Sequence, residues 1–282
     1  MGFDRVRSLL FAPASDEGKL RGSLAAGADA VIWDMEDGVA QTEKAAARNR
    51  VAQLLNEEAH GTTLRLVRVN GHGTDDQAAD LEALAGAPLD GVVLPKATEA
   101  AVAAIELDAA PLLPLVESAA GLRDVAEIAA SERVVALLFG ALDLAAELRL
   151  EPLPDAQELL SYRALLVLAS ALGGLAGPFD SPFVHVHDLD AFRGDCQRAR
   201  GLGFRGKACI HPAQVPIVHA TFAPTAPELE WAREVVAASD AAGRAGSGVA
   251  LVAGQMVDRP VVARALQLLD DGERDDAERS AR

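Results

Sequence analysis

Two carboxylates stand where chemistry is easiest to build. Glu117 closes the apolar run LLPLVE, and Asp143 closes ALLFGALD. Continuous apolar runs of this length read as strands buried on both faces, so both acids read as strand-end carboxylates. Between them, Leu122, Val125 and Ile128 fall at helical spacing, which makes the interval about one strand-helix-strand step. Adjacent parallel strands would hold the two acids side by side at one sheet edge. A hard divalent cation such as Mg²⁺ relieves their repulsion there and keeps positions open for substrate. The alternative is that one acid caps a helix and the other lies on a solvated loop.

The elements that must position these acids form a repeating pattern. Arg7–Pro13 reads as a first strand, followed by a helix through Leu20 and Leu24 that Gly27 closes. Asp29–Asp37 reads as a second strand in which Asp34 and Glu36 share a face, while Asp37 points away or starts the loop. After a charged helix over Thr42–Asn56, Thr62–Asn70 is a third strand with Arg68 and Asn70 at its mouth, and Leu89–Lys96 a fourth. Leu175–Pro182 is a seventh strand weakened by Gly and Pro, and Gly206–Pro212 an eighth; helical patterns cover Ala156–Leu172 and Leu189–Leu202.

Eight strand-like runs alternating with helices predict an α/β fold, a (β/α)₈ TIM barrel over residues 1–224. In that architecture active-site residues sit at the C-terminal strand ends, where Glu36, Asp37, Arg68, Lys96, Glu117 and Asp143 fall. A doubly wound open sheet is the competing architecture, but no GxGxxG follows any strand. Residues 225–269 form an extra C-terminal helical segment, with Thr225 as helix cap and Pro227 in the first turn, packing on its own or a neighbouring barrel. The charged run 270–282 reads as a disordered tail.

The chain has 282 residues, half of them hydrophobic, enough for one large core. With 26 Lys and Arg against 42 Asp and Glu, the net charge is −16, which disfavours nucleic acid and acidic membrane surfaces as partners. Cys196 and Cys209 show no disulfide framework, and no apolar stretch matches a signal peptide or membrane span. The expectation is a soluble, cytoplasmic protein.

The segments RSLLFAPA, DAVIWDMEDGVA, RLVRVNG, GVVLPKA, PLVESAAGL, LLFGALDLAAEL, GKACIHPAQ and GQMVDRP, in this order, resemble the β subunit of citrate lyase and its stand-alone relatives in the HpcH/HpaI aldolase superfamily. The resemblance spans nearly the whole chain. It implies a (β/α)₈ barrel, a homotrimer or homohexamer, that uses Mg²⁺ to cleave or form a carbon–carbon bond in a 3-hydroxy-acyl thioester. The implied partners are a small keto acid and a citryl, malyl or citramalyl thioester of coenzyme A or acyl carrier protein.

Position by position, the resemblance makes Glu117 and Asp143 the metal ligands and Arg68 the grip on the substrate's carboxylate or keto oxygen. Glu36 and Asp37 become an acidic pair holding metal waters or Arg68, and Asp258 an acid/base supplied by a neighbouring subunit. The backbone of Ala141 and Leu142 could donate N–H groups to the substrate, and Lys96 is a further candidate contact. Ala14 and Arg149 stand where the family frequently has Gly, Ala253 where many members have Asp, and His185 and His187 where acidic or small residues are frequent; Asp180 agrees with the pattern.

With these residues, Mg²⁺ would polarise the substrate's oxygens, Arg68 would grip its carboxylate, and Asp258 would protonate the leaving enolate. Water attacking the thioester at the same site would give hydrolysis instead. Plainer readings stand beside these. Arg68 could simply pair with Glu36, and Asp258 could cap the helix opened by Pro260. Lys96 and Lys207 could be solvated or phosphate-facing. His211 reads as a hydrogen-bonded structural residue, Cys209 as buried core, and the pair His185 and His187 as too few ligands for zinc.

Overall fold

The computed structural model describes residues 2–58, 61–107 and 110–281, with side chains to 275. It divides into two compact units, Met1–Phe222 and Ala223–Arg282. In the first unit eight parallel strands close into a barrel in sequence order. They are β1 (Ser8–Pro13), β2 (Ala30–Asp34), β3 (Leu64–Arg68), β4 (Gly91–Leu94), β5 (Leu112–Val116), β6 (Leu137–Phe139), β7 (Pro178–Asp180) and β8 (Gly206–Cys209).

The helices after β1 to β3 are α1 (Glu17–Leu24), α2 (Lys44–Glu57) and α3 (Asp75–Leu84); α4 (Glu99–Ala103) follows β4, and α5 (Ala119–Arg123) and α6 (Val125–Ala129) follow β5. After β6 come α7 (Ala141–Leu148) and α8 (Leu160–Leu172), then α9 (Leu189–Leu202) after β7 and α10 (Val215–Phe222) after β8. Five of these helices start on a residue whose side-chain oxygen accepts an N–H from the first turn: Asp16, Thr74, Thr98, Ser118 and Asp188. The expected long helix from Ala156 starts only at Leu160, because Asp155 and Ala156 adopt left-handed φ. Arg149 also sits at φ 55° as it ends α7.

Period-two alternation explains how the barrel positions its mouth. The inward faces of the strands bury Leu9, Ile32, Leu66, Leu113, Leu138 and Phe179 in one interior cluster. Two residues further along the same faces come Phe11, Asp34, Arg68, Leu115, Gly140 and Ser181; Glu117 lies one more step beyond Leu115. Apolar filling thus gives way to charge at the C-terminal rim. Outward residues such as Trp33, Val67 and Phe139 form a second cluster with the helices. Trp33 anchors α1 by donating its indole N–H to Ser23 Oγ at 3.2 Å.

The second unit holds α11 (Ala226–Arg244), a hairpin of β9 (Ala250–Val252) and β10 (Gln255–Val257), and α12 (Arg259–Ala281). Ala232, Val235, Val257 and Ala265 form its own small core. The run expected to be a disordered tail is helical, because Gly272 lies against Leu229 and Asp270 pairs with Arg274 one turn on at 2.6 Å. No helix among the described residues is long and apolar enough to cross a membrane.

Candidate active site

The barrel mouth carries a pocket of about 260 Å³. Its lining combines charged residues, Asp34, Asp37, Arg68, Glu117 and Asp143, with apolar ones, Phe11, Leu115, Leu138, Leu142, Val184 and Ile210. The pocket therefore brings together four residues expected from the sequence as charged site groups, Asp37, Arg68, Glu117 and Asp143.

Arg68 is held by the strand next to its own. It pairs with Asp34 across the β2–β3 register, and Asp34 accepts from Nε and Nη2 of the guanidinium at 2.7 Å each. Asp34 in turn is fixed by the backbone N–H groups of Glu36 and Gly38, both at 2.9 Å. A Cβ at position 38 would lie 2.5 Å from Asp34 Oδ2, so the turn needs glycine. Glu36 Oε2 lies 2.9 Å from Arg68 Nη1, Asp37 Oδ2 lies 3.7 Å from it, and the guanidinium sits 5.3 Å over the Phe11 ring. Two of its five N–H donors go to Asp34, and the Nη1 edge stays directed at the acids and the pocket.

Glu36 and Asp37 lie beyond the end of β2 instead of on an extended second strand. A buried lysine that sequence reasoning did not single out holds their loop. Lys44 Nζ donates to the carbonyls of Met35 and Glu36 and to Asn70 Oδ1, at 2.9, 2.7 and 2.6 Å. Burial pushes the Glu36 carboxyl up; the Arg68 charge opposes this and the Asp37 charge reinforces it. Lys96 does not line the pocket. Its ammonium is more than half exposed, lies 3.3 Å from Glu36 Oε1 and is raised by that carboxylate against the opposing effect of burial. Its backbone has the closer role: at φ 47°, a conformation costing on the order of 1–3 kcal/mol for a non-glycine residue, it donates its N–H to Glu117 Oε1 at 2.8 Å.

Glu117 and Asp143 meet, but only Glu117 follows a strand directly. Asp143 lies in the first turn of α7, which begins right after β6. Gly140 makes the approach possible, because a Cβ there would lie 2.3 Å from Glu117 Cβ and 2.7 Å from Glu117 Oε2. Burial raises the Glu117 carboxyl to about 8, with the Lys96 amide opposing and a hydrogen bond and charge from Asp143 adding to the rise. Five carboxylates thus crowd two cations, Arg68 and Lys96, and the excess negative charge converges on Glu117 and Asp143.

This arrangement fits a hard divalent cation. The donors are oxygens, and two carboxylates are the usual share of the protein in a site that leaves room for water and substrate. Among the described residues no cluster of three or more His, Cys, Asp or Glu could hold a metal, so His185, His187 and His211 form no zinc site. His211 instead caps a short turn, its Nδ1 accepting the Ala213 N–H at 3.2 Å.

Other expected contacts fall differently. Ala141 has already committed its N–H to Ser181 Oγ at 3.1 Å, so of the two expected backbone donors Leu142 is the one left in the first turn of α7. Lys207 is neither solvated nor phosphate-facing. It points outward from the barrel into a sealed cluster, 2.5 Å from Asp180 and 2.7 Å from Asp195, and Arg163 completes the group at 2.9 Å from Asp180. Asp258 lies in the second unit, where its Oδ1 accepts the Val261 N–H at 3.4 Å at the start of α12. Cys209 is buried core.

Residues 7–212, bearing every one of these pocket groups, match the family HpcH/HpaI aldolase/citrate lyase. The chain belongs to that family. Among members of known name, it is 39% identical over 271 residues to a (3S)-malyl-CoA thioesterase of Cereibacter sphaeroides strain KD131, covering 95% of this chain and 94% of the relative. Among solved structures it is similar to CitE of Mycobacterium tuberculosis in complex with magnesium, acetoacetate and coenzyme A, at 37% identity and a TM-score of 0.83, over 96% of this chain and 99% of that one. A citrate lyase beta subunit from M. tuberculosis complexed with oxaloacetate and magnesium gives 35% identity and a TM-score of 0.70, over 79% of this chain and all of that one. In this HpcH/HpaI member the residues given no site role from sequence are Asp34, Lys44, Gly140 and Ser181. Asp34 had a usable signal, since it continues the inward alternation of Ala30 and Ile32; Lys44 carried none.

Proposed function

We propose that this protein is a magnesium-dependent lyase that cleaves a 3-hydroxy-acyl thioester into a 2-oxo acid and a shorter acyl thioester. The observation that carries the reading is the convergence of the Glu117–Asp143 carboxylate pair and the buttressed Arg68 on one small pocket. Glu117 and Asp143 would hold the cation. Bound there, magnesium would supply Lewis-acid polarisation of a hydroxyl or keto oxygen.

The chain's own groups do the rest. Arg68, fixed by Asp34 and Glu36, offers its remaining donors to the substrate carboxylate at little entropic cost. The buried side chains of Leu115 and Leu138 offer an apolar surface to the reacting carbons. Asp258 of a neighbouring copy, the acid/base implied by the family resemblance, is assigned the protonation of the leaving fragment. The 260 Å³ pocket suits the short acyl end of a thioester, with the carrier arm outside it. A homotrimer or homohexamer acting on coenzyme A or acyl-carrier thioesters completes the proposal.

The second reading is thioester hydrolysis, favoured by the name of the Cereibacter relative. Product analysis of the purified chain with Mg²⁺ and malyl-, citramalyl- or citryl-CoA separates them. A 2-oxo acid plus an acyl-CoA supports the lyase; free coenzyme A thiol plus a hydroxy acid assigns the hydrolase. Turnover that survives Glu117→Ala or Asp143→Ala would refute both.

A further inference from the structure

α7 is a two-turn helix with little of its own to hold its start in place. Its N-cap is Gly140, which has no side chain to accept a first-turn N–H. A capping serine cannot stand there, because its Cβ would run into Glu117. Ala141 and Leu144 are the two buried residues of the helix. Apolar burial is non-directional, so it fixes which face turns inward without fixing how far the helix slides along its axis. Yet the third residue of this helix is Asp143, one of the two acids that would hold the cation.

The missing cap comes from the next strand. Ser181 directly follows β7, is 2% exposed, and accepts the Ala141 N–H through Oγ at 3.1 Å. It stands on a fixed point. Asp180 before it accepts two hydrogen bonds from Arg163, at 2.9 and 3.1 Å, and one from Lys207 at 2.5 Å. The same Arg163 guanidinium lies 5.9 Å from the ring centroid of Phe139, the last residue of β6. One cation therefore grips the strand ends on both sides of the Ser181–Ala141 bond. We infer that Ser181 is a positioning residue for the cation site, capping α7 from outside the helix and setting where Asp143 faces Glu117. A hydrogen bond to a backbone amide is directional, and Mg²⁺ demands near-ideal geometry of its ligands, so drift of one carboxylate weakens binding. This rests on the reading above that Glu117 and Asp143 hold the cation.

The test is calorimetric titration of Mg²⁺ into the metal-stripped full chain, beside thermal unfolding without metal. Ser181→Ala removes the acceptor, while Ser181→Cys keeps the site filled and leaves only a weak one. Thr74→Ala is the control. It removes a comparable cap, which accepts the Gln77 N–H at 3.1 Å, from α3, a helix that bears no candidate ligand. Ser181→Ala is expected to weaken Mg²⁺ binding threefold or more and Ser181→Cys twofold or more. Thr74→Ala should stay within twofold of the parent even where its metal-free Tm falls as far. Affinity of Ser181→Ala within threefold of the parent overturns the inference, and so does an equal loss in Thr74→Ala, which would make the effect one of general stability. If Ser181→Ala does not fold, the cysteine variant decides, and a loss below twofold overturns the inference. A parent that binds no Mg²⁺, or an Asp143→Ala variant that binds it as the parent does, overturns the cation reading and this inference with it.

Discussion

Asp34→Asn tests whether Arg68 is a positioned binding group or one more ion pair. The substitution keeps size and removes charge. Asp34 accepts four hydrogen bonds, two from the Arg68 guanidinium at 2.7 Å and two from the backbone at Glu36 and Gly38 at 2.9 Å. Asparagine offers one carbonyl oxygen, so its NH₂ must face a donor on one side or the other. Neutralising one partner of a buried pair costs about 3–5 kcal/mol when the other charge is stranded. Arg68 keeps Glu36 at 2.9 Å, which puts the expected loss near the low end, about 3 kcal/mol. In a chain of this size that corresponds to a fall in Tm of roughly 6–12 °C.

With its Nε edge released, Arg68 turns towards Glu36 and Asp37, and 2-oxo acid affinity drops tenfold or more. Thermal unfolding followed by circular dichroism, with parallel calorimetry, reads both effects. Asp37→Asn is the control. At 3.7 Å and with its side chain 62% exposed, Asp37 forms a surface-grade pair with Arg68, and its neutralisation should change stability by no more than about 0.5 kcal/mol. If Asp34→Asn lowers Tm no further than Asp37→Asn and leaves 2-oxo acid affinity within threefold of the parent, the positioning argument fails.

Gly140→Ala should weaken Mg²⁺ binding tenfold or more, because the added methyl takes the space of Glu117, while φ −110° lies outside the left-handed region that favours glycine; the overpacking itself costs about 1–3 kcal/mol. Unchanged calorimetric Mg²⁺ affinity would sink the idea that Gly140 admits the carboxylate. Lys207→Met should cost about 3–5 kcal/mol, since it strips a fully buried cation from Asp180 and Asp195. That loss should also depend on pH. Burial pushes the Asp180 carboxyl up, but Lys207 and Arg163 outweigh it and hold the group below its ordinary range. Its stabilising contribution is therefore present above about pH 4 and lost as pH falls through the lower folded value. Lys207 is raised, Asp180 and Asp195 outweighing burial, so its contribution is present below about pH 10 and lost as pH climbs beyond that. Urea midpoints should separate parent from variant by a constant amount between pH 5 and 9 and converge below pH 4. A gap that persists unchanged to pH 3 would contradict the assignment.

The barrel was legible because buried parallel strands must be continuous apolar runs, and eight such runs alternating with helices leave few architectures. The mouth was legible where charge ended a run: Arg68, Glu117 and the acids after Trp33 fall where the alternation leaves the core. What stayed hidden depends on contacts between segments distant in sequence. Nothing in the composition of α2 says that Lys44 reaches back to the carbonyls of Met35 and Glu36, and nothing around Lys207 says that its strand turns it outward into a sealed acid cluster. The charged run at the end of the chain was misread for a related reason. Its acids and bases suggest solvation, while its helix is held by Gly272 against Leu229 far upstream.

Asp143 meets Glu117 from a different element than the expected strand end. Two strand-end carboxylates would sit at similar depth in the mouth and be buried alike. Here Glu117 follows β5 and is sealed, whereas Asp143 rides the first turn of α7 and stays exposed to solvent. Glu117 alone suffers the burial that carries its carboxyl to about 8, with Asp143 adding to the rise from the accessible side. The exchange of strand for helix therefore matters chemically. It gives the two acids unequal environments, one sealed after β5 and one open to solvent on α7.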